Sequence, residues 1–299
     1  MAAVNDIILG TALAAVRRSN SIRVYKTDAN GGVREVQYEG RWMGGEPRNT
    51  VATGKIGTPL SATNNGFDNI RVYYVTQDNT LGEAAYDANT GWYNGLLTAK
   101  NYEVAPYSSV AGIFLGGQTI LRVFCQIPDN TIQEYVWDGA STGWTVGSNY
   151  GPALPGTQIA ATTWGSNPWH LRLYFQLEDN TVVEKCWDGE GWNPGQLCFN
   201  TGVPRSALGV TSWGVDGASL GIRLYYGASG DVIREKAWDG QGGWYEGGFS
   251  QQCMPGSNVA AVPLDILRVY LQNGTRGTAV TEFKWAGGWD IGFAALPPA

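Results

Sequence analysis

Charge is scarce in this 299-residue chain. Asp, Glu, Lys and Arg make up only 15% of it, with 26 acids against 20 bases for a net charge of -6. Nucleic acid is held by Lys and Arg that neutralise phosphates, so this composition excludes nucleic acid as an expected partner. There is one histidine, His170, and the four cysteines Cys125, Cys186, Cys198 and Cys253 show no C-x-x-C spacing. A zinc site has too few ligands to draw on, and no metal or cofactor is expected. Cys125 and Cys186 fall inside apolar strand patterns and read as buried free thiols. No run of about 18 apolar residues occurs, so no helix is expected to span a bilayer. The opening "MAAVNDIILGTALAAVRRSN" has an apolar middle, but its arginines follow that part instead of preceding it. It reads as the first strands of the fold, not as a secretory signal. The expected location is therefore cytoplasmic, or the cell surface and exterior by a non-classical route. Without a leader, the sequon at Asn273-Gly-Thr275 carries no weight.

Glycine (42 residues) and aromatic residues (12%) are abundant instead. That balance suits many short strands joined by tight turns, an all-β protein. Six segments align: "IRVYKTDANGGVREVQYEGRW", "IRVYYVTQDNTLGEAAYDANTGW", "LRVFCQIPDNTIQEYVWDGASTGW", "LRLYFQLEDNTVVEKCWDGEGW", "IRLYYGASGDVIREKAWDGQGGW" and "LRVYLQNGTRGTAVTEFKWAGGW". Their arginines are Arg23, Arg71, Arg122, Arg172, Arg223 and Arg268, spaced 48, 51, 50, 51 and 45 residues apart. The glutamates Glu35, Glu83, Glu134, Glu184, Glu235 and Glu282 follow 12 residues later, or 14 in the last repeat. Each unit contains a small-apolar strand, an alternating strand bearing Arg, an Asn-Gly or Asp-Asn turn, a second alternating strand bearing Glu, and a short Gly-Trp strand. About four antiparallel strands in a period of 45 to 51 residues is the mark of a β-propeller blade. The expectation is a single six-bladed β-propeller domain over 1–299. Its blades fall near 11–57, 58–107, 108–156, 157–205, 206–256 and 257–293.

Three residues after each Glu stands an aromatic: Tyr38, Tyr86, Trp137, Trp187, Trp238 and Trp285. Residues an odd number apart in a regular strand face opposite ways, so each blade sends its carboxylate to one neighbouring cleft and its ring to the other. Whether Arg shares the Glu face depends on the parity of the hairpin turn. Arg offers only donors and an ionised Glu only acceptors, which suits a ligand with adjacent hydroxyls. An aromatic wall suits the apolar C–H face of a sugar ring. A second set, Trp42, Trp92, Trp144, Trp192, Trp244 and Trp289, would add another wall or pack blade on blade. Six structural Arg–Glu pairs would be a poor way to stabilise a ring, because buried ion pairs lose to apolar replacements.

Two other classes fit less well. Glycoside hydrolysis needs two carboxylates with different roles at one asymmetric site, whereas here one Glu recurs with an Arg. No Ser-x-Asp-x-Gly-x-x-Trp repeat of the sialidase kind is present. Gly217-Ala-Ser219-Leu-Gly221 matches G-x-S-x-G, but it leads into the strand Ile222-Arg223-Leu224 without the helix that an esterase elbow requires. His170, in "NPWHLRLY", reads as a surface or strand-edge residue. A protein-interaction propeller would carry Gly-His … Trp-Asp marks, and the "WDG" here reads as turn chemistry before the last strand.

In its "[IL]-R-[VL]-[YF] … E-x-x-[WY]" units and their Gly-Trp ends, the chain resembles the fungal fucose-specific lectins of the Aleuria aurantia lectin family over essentially its whole length. The resemblance implies no enzyme, but a multivalent, adhesive lectin that binds L-fucose and fucosylated glycans between adjacent blades, without membrane insertion and assembled as a homodimer. It also implies six clefts, each taking Arg and Glu from one blade and two aromatics from the next. The first three are Arg23 and Glu35 with Tyr86 and Trp92; Arg71 and Glu83 with Trp137 and Trp144; and Arg122 and Glu134 with Trp187 and Trp192. The others are Arg172 and Glu184 with Trp238 and Trp244; Arg223 and Glu235 with Trp285 and Trp289; and Arg268 and Glu282 closing onto Tyr38 and Trp42. The longer Arg–Glu spacing of the last repeat, and the tyrosines in place of tryptophan in the first two, make six the upper bound on competent clefts.

Overall fold

The structure, a computed structural model, describes residues 6–115, 120–214, 219–263 and 267–297. Blade 1 comprises β1 (Leu13–Arg18), β2 (Ser21–Thr27), β3 (Gly32–Tyr38), β4 (Trp42–Gly44) and β5 (Thr50–Thr53). Blade 2 comprises β6 (Ser61–Asn65), β7 (Asn69–Val75), β8 (Leu81–Asp87) and β9 (Gly91–Asn94), and blade 3 comprises β10 (Val110–Leu115), β11 (Ile120–Gln126), β12 (Thr131–Trp137) and β13 (Trp144–Pro152). Blade 4 is β14 (Ala160–Gly165), β15 (Trp169–Gln176), β16 (Thr181–Trp187) and β17 (Trp192–Asn200). Blade 5 is β18 (Leu208–Trp213), β19 (Gly221–Ala228), β20 (Val232–Trp238) and β21 (Tyr245–Gln252). Blade 6 is β22 (Val259–Val262), β23 (Arg268–Leu271), β24 (Thr281–Trp285) and β25 (Trp289–Phe293). Each is an antiparallel meander in chain order, so the chain is the six-bladed β-propeller that its repeats predict. In blade 1 the outer strand is split by a turn at Pro47–Asn49 into β4 and β5, both paired with β3.

The Asp-Asn turns work as their chemistry dictates. Asn79, Asn130 and Asn180 take the left-handed conformation at φ 56°, 67° and 68°, which asparagine tolerates better than most residues. Beside two of them, Asp129 and Asp179 accept from the backbone N–H of Thr131 and Thr181, both at 2.9 Å.

The core lies between blades. The six apolar clusters seen among the described residues each join two neighbours; one sets Leu13, Ile22, Val24 and Val36 of blade 1 against Ala260, Val262 and Tyr270 of blade 6. The small-residue strands β1, β6, β10, β14, β18 and β22 contact one another in sequence, with β22 meeting β1. Every blade is therefore built from continuous chain, and side chains close the ring.

A buried glutamine staples blade to blade. Gln126 accepts from Gly156 N–H at 2.8 Å and Gln176 from Ser206 N–H at 2.7 Å. Gln272 does the same at the closure, accepting from Gly10 N–H at 2.7 Å and donating to Ile8 O at 2.9 Å and Thr278 O at 2.5 Å. Removing it strands part-buried backbone groups, and leaving a fully buried one unmet costs about 1–3 kcal/mol. Gln272→Ala is expected to lower the unfolding free energy by about 2–3 kcal/mol, read as a lower urea midpoint at unchanged slope. An unaltered midpoint would show that closure does not depend on this staple.

Candidate functional site

The hairpin between the second and third strand of each blade settles the parity that the sequence left open. Tyr25 pairs with Glu35, Tyr73 with Glu83, Phe124 with Glu134, Tyr174 with Glu184, Tyr225 with Glu235 and Tyr270 with Glu282. The hairpin loops, 28–32, 76–80, 127–131, 177–181, 229–231 and 272–280, are all odd in length. Arg, two residues before the paired Tyr or Phe, therefore shares the face of Glu in every blade. The two extra residues of the last repeat are absorbed in its loop and leave this register intact.

On that face the arginines stand close to the glutamates without forming tight pairs in blades 2 to 5. Nε lies 3.8, 3.5, 3.8 and 3.7 Å from Oε1 at Arg71–Glu83, Arg122–Glu134, Arg172–Glu184 and Arg223–Glu235. In blade 6 Arg268 binds Glu282 directly, at 2.8 Å. All six glutamates are buried. Burial pushes Glu83, Glu134, Glu235 and Glu282 above the ordinary glutamate range, against hydrogen bonds and arginine charge that pull down.

Neighbouring donors fix each carboxylate. The buried tyrosine on the facing strand donates to Glu35 and Glu184 at 2.8 Å, to Glu282 at 3.1 Å and to Glu83 at 3.4 Å. The outer strand, or in blade 2 the turn just after it, adds backbone N–H groups: Leu97 to Glu83 at 3.0 Å, Ser148 to Glu134 at 2.9 Å, Gln196 to Glu184 at 2.9 Å and Gly248 to Glu235 at 3.2 Å. Room for this comes from a glycine three residues after the cleft tryptophan. At Gly95, Gly147, Gly195, Gly247 and Gly292 an added Cβ would overlap the glutamate side chain.

The other wall comes from the next blade. One cavity of about 370 Å³ is lined by Arg23, Glu35, Tyr86 and Trp92. Another, of about 240 Å³, gathers Arg71, Glu83, Trp137 and Trp144. A third, of about 270 Å³, gathers Arg172, Glu184, Trp238 and Trp244. Two of these volumes fall below the range for drug-sized ligands and the third lies near its bottom, which suits a single sugar ring. At the ring closure, Arg268 lies over Tyr38 at 5.7 Å and Tyr270 meets Trp42 edge-on at 6.1 Å. Trp187 and Trp192 stand together at 6.1 Å, with Trp192 edge-on to Phe124 of the Arg122–Glu134 blade. Likewise Trp285 and Trp289 are 5.6 Å apart, and Trp289 meets Tyr225 of the Arg223–Glu235 blade.

Several sequence readings change in detail. The Gly-Trp tryptophans are blade-to-blade packing and cleft wall at once, and Trp144 is buried. Cys125 is fully buried, but Cys186 is half-exposed and lines a cleft, because it lies two residues after Glu184 on the same face. His170 sits on β15, with Nδ1 2.6 Å from Asp188 and its ring stacked on Trp164. Gly217 and Ala218 of the G-x-S-x-G match lie outside the described residues; the chain runs on into β19. Residues 1–5 of the opening segment also lie outside them, and the rest leads into β1.

Sequence reasoning missed three contributors. The tyrosine of "R-[VL]-Y" carries a donor, the glycine of W-x-x-G clears space, and the [IL] before each arginine lines the preceding cleft, as Ile70, Leu121 and Ile222 do. All three recur in the repeats, but each reads from one strand as ordinary core or turn.

Comparison with known proteins identifies the family. The family model for fungal fucose-specific lectins matches residues 7–299. A fucose-specific lectin of Aspergillus fumigatus is 40% identical, covering 98% of each chain. One from Aleuria aurantia is 32% identical over 90% of this chain and 71% of its own. Among solved structures, SapL1 lectin in complex with alpha methyl fucoside superposes with a TM-score of 0.96 at 56% identity over 99% of both chains. The six-bladed Aleuria aurantia lectin does so at 0.83 and 29% identity, again over 99% of both.

Gly147 lies where β13 bulges opposite Glu134, but outside the left-handed conformation, so alanine there tests the space beside Glu134 and Val136. Gly147→Ala is expected to displace the Glu134 carboxylate and cost about 1–3 kcal/mol through overpacking. A crystal structure and urea unfolding check this, with the untouched Glu184 as internal control. An unmoved Glu134 would count against the role given to the glycine.

Proposed function

The chain belongs to the fungal fucose-specific lectin family, and from that membership we propose that it is a lectin, not an enzyme, binding L-fucose and fucosylated glycans in the clefts between adjacent blades. The observation that carries this reading is the recurring cleft itself. A guanidinium and a buried carboxylate stand 3.5 to 3.8 Å apart in blades 2 to 5, facing aromatic rings of the next blade.

The chemistry follows from the atoms available. Arginine donates to ring and hydroxyl oxygens, and the carboxylate accepts from hydroxyls. A tryptophan or tyrosine covers the C–H face. L-fucose is a 6-deoxy sugar, and Ile70, Leu121 and Ile222 on the cleft walls supply an apolar seat for its methyl group. A hydroxyl at that position would be desolvated there without a partner, which disfavours galactose. The ligand-binding residues of the proposal are the six Arg–Glu pairs with the two aromatics that follow each. One monosaccharide offers few contacts, so each cleft binds weakly. Engagement of several clefts on one surface raises avidity by about 10² to 10⁴. Agglutination and adhesion are the activities that follow, and the same reading includes a homodimer that doubles the number of clefts.

Calorimetric titration tests the reading. Saturable heat with L-fucose at several sites per chain, and none with D-galactose, is the expected result; no saturation with fucose would sink it.

Acid should weaken binding early. A carboxyl whose folded pKa is raised contributes stability below its unfolded pKa and loses it as pH rises through the folded value. Binding runs the opposite way, since accepting from a hydroxyl needs the ionised carboxylate. The rise in Tm given by saturating methyl fucoside is therefore expected to be largest near neutrality and to fall before the pH reaches the ordinary glutamate value of about 4.3. A rise that holds constant to that pH would place the buried glutamates outside the recognition.

A further inference from the structure

Four residues after the cleft glutamate stands an acidic residue in five repeats: Glu39, Asp87, Asp138, Asp188 and Asp239. In the tryptophan-bearing repeats this is the aspartate of "WDG". In the structure each one takes the guanidinium of its own blade's cleft arginine. NH1 lies 2.6 Å from Glu39 at Arg23, 3.0 Å from Asp87 at Arg71, 2.8 Å from Asp138 at Arg122, 2.9 Å from Asp188 at Arg172 and 2.8 Å from Asp239 at Arg223. The same NH1 also donates to the carbonyl just before its own residue, at 2.9 to 3.0 Å in all five. The sixth repeat has Ala286 in place of the acid. There, among the described residues, Arg268 makes neither contact, and its NH1 binds Glu282 instead, at 2.8 Å.

We infer that this outer acid is a positioning residue for sugar binding, holding the arginine back from the cleft glutamate so that both remain open to the ligand. The inference rests on the fucose-lectin reading and adds a residue to it. Two acceptors compete for each arginine. The cleft glutamate is buried and costly to ionise, while the outer acid lies at the rim, where an ion pair forms with little desolvation. With the outer acid present, NH1 is anchored at the rim and Nε stays beyond bonding distance of Glu. Without it the arginine falls onto the glutamate, and each satisfies the group that a sugar hydroxyl or ring oxygen would meet. Asp239 shows the pull from its own side: burial raises its carboxyl, but the hydrogen bonds from Tyr245 and Arg223 outweigh that and hold it below the ordinary range. Register does not account for the difference in blade 6, since Tyr270 faces Glu282 as its counterparts do.

Asp138 gives the plainest test, because the Arg122 guanidinium is the only side chain bonded to it among the described residues. The full chain is compared with Asp138→Ala and Asp138→Glu by crystal structure without ligand and by calorimetry with methyl α-L-fucoside. In Asp138→Ala, Arg122 is expected to move onto Glu134 as Arg268 does onto Glu282. One cleft should then weaken at least about tenfold, so that the fitted number of tight sites falls by one at unchanged Tm. Asp138→Glu is expected to restore both, as the natural Glu39 serves Arg23. An arginine that stays in place, or a site count that does not change, overturns the proposal. So does loss that glutamate fails to rescue, which would mark a structural role only. Should Asp138→Ala lower Tm, the isosteric Asp138→Asn replaces it. If the unaltered chain takes no methyl fucoside, the lectin reading fails, while the position of Arg122 in the ligand-free variant still decides the positioning role.

Discussion

One contact repeats around the ring and holds both the fold and the clefts: the ring of the residue two after each cleft arginine meets the second tryptophan of the next blade edge-on. Tyr25–Trp92, Tyr73–Trp144, Phe124–Trp192, Tyr174–Trp244, Tyr225–Trp289 and Tyr270–Trp42 have centroids 6.0 to 6.3 Å apart and planes at 82° to 87°. Edge-to-face pairs of this kind add about 0.5–1.5 kcal/mol beyond the area they bury. The last of them joins the sixth blade to the first. Because no strand is exchanged at the closure among the described residues, this pair and the Gln272 staple take the place of shared sheet hydrogen bonds.

The same tyrosines face two ways chemically. Their rings belong to the interblade core, and in four blades their hydroxyls reach the buried glutamate. Burying a carboxylate is expensive unless hydrogen bonds replace its water, and here a tyrosine and outer-strand N–H groups do so. In four blades the arginine stands close to this glutamate but bonds the outer aspartate instead. An arrangement built only for stability would have closed that gap, as blade 6 does. The open geometry forgoes one charged hydrogen bond between guanidinium and carboxylate.

How much of this the sequence shows depends on how far each relation reaches through space. Blade number, strand order and the separation of Glu from its aromatic partner follow from spacing along one strand, and all three are visible in the repeats. The face of the arginine is not, since it turns on loop parity: residues 28–32 and 229–231 differ in length yet give the same register. Gly147 looks like any glycine in a β protein until the strand bearing Glu134 is laid beside it. Asp138 sits where turn residues sit, and its partner Arg122 is two strand positions away in the sheet but 16 in the chain. Cys186 misled because apolar alternation predicts burial in a core, and in this fold a cleft face carries the same pattern as a core face.

That overlap of core and cleft sets what can vary. A tryptophan that packs against the preceding blade cannot drift without opening the ring, so the aromatic wall is tied to the fold. The position two residues after each glutamate points into the same cleft with no such duty, and it differs in nearly every repeat: Gln37, Ala85, Val136, Cys186, Ala237 and Lys284. Gln37, Ala85 and Cys186 line their cavities, and Gln37 bonds directly to Glu35. An amide, a methyl and a thiol at one point of otherwise matching clefts give each a different polarity beside the carboxylate. The shared half of each cleft is what the six have in common: an arginine, a glutamate and two aromatic rings. The free half is where the clefts differ, and it varies without altering the frame.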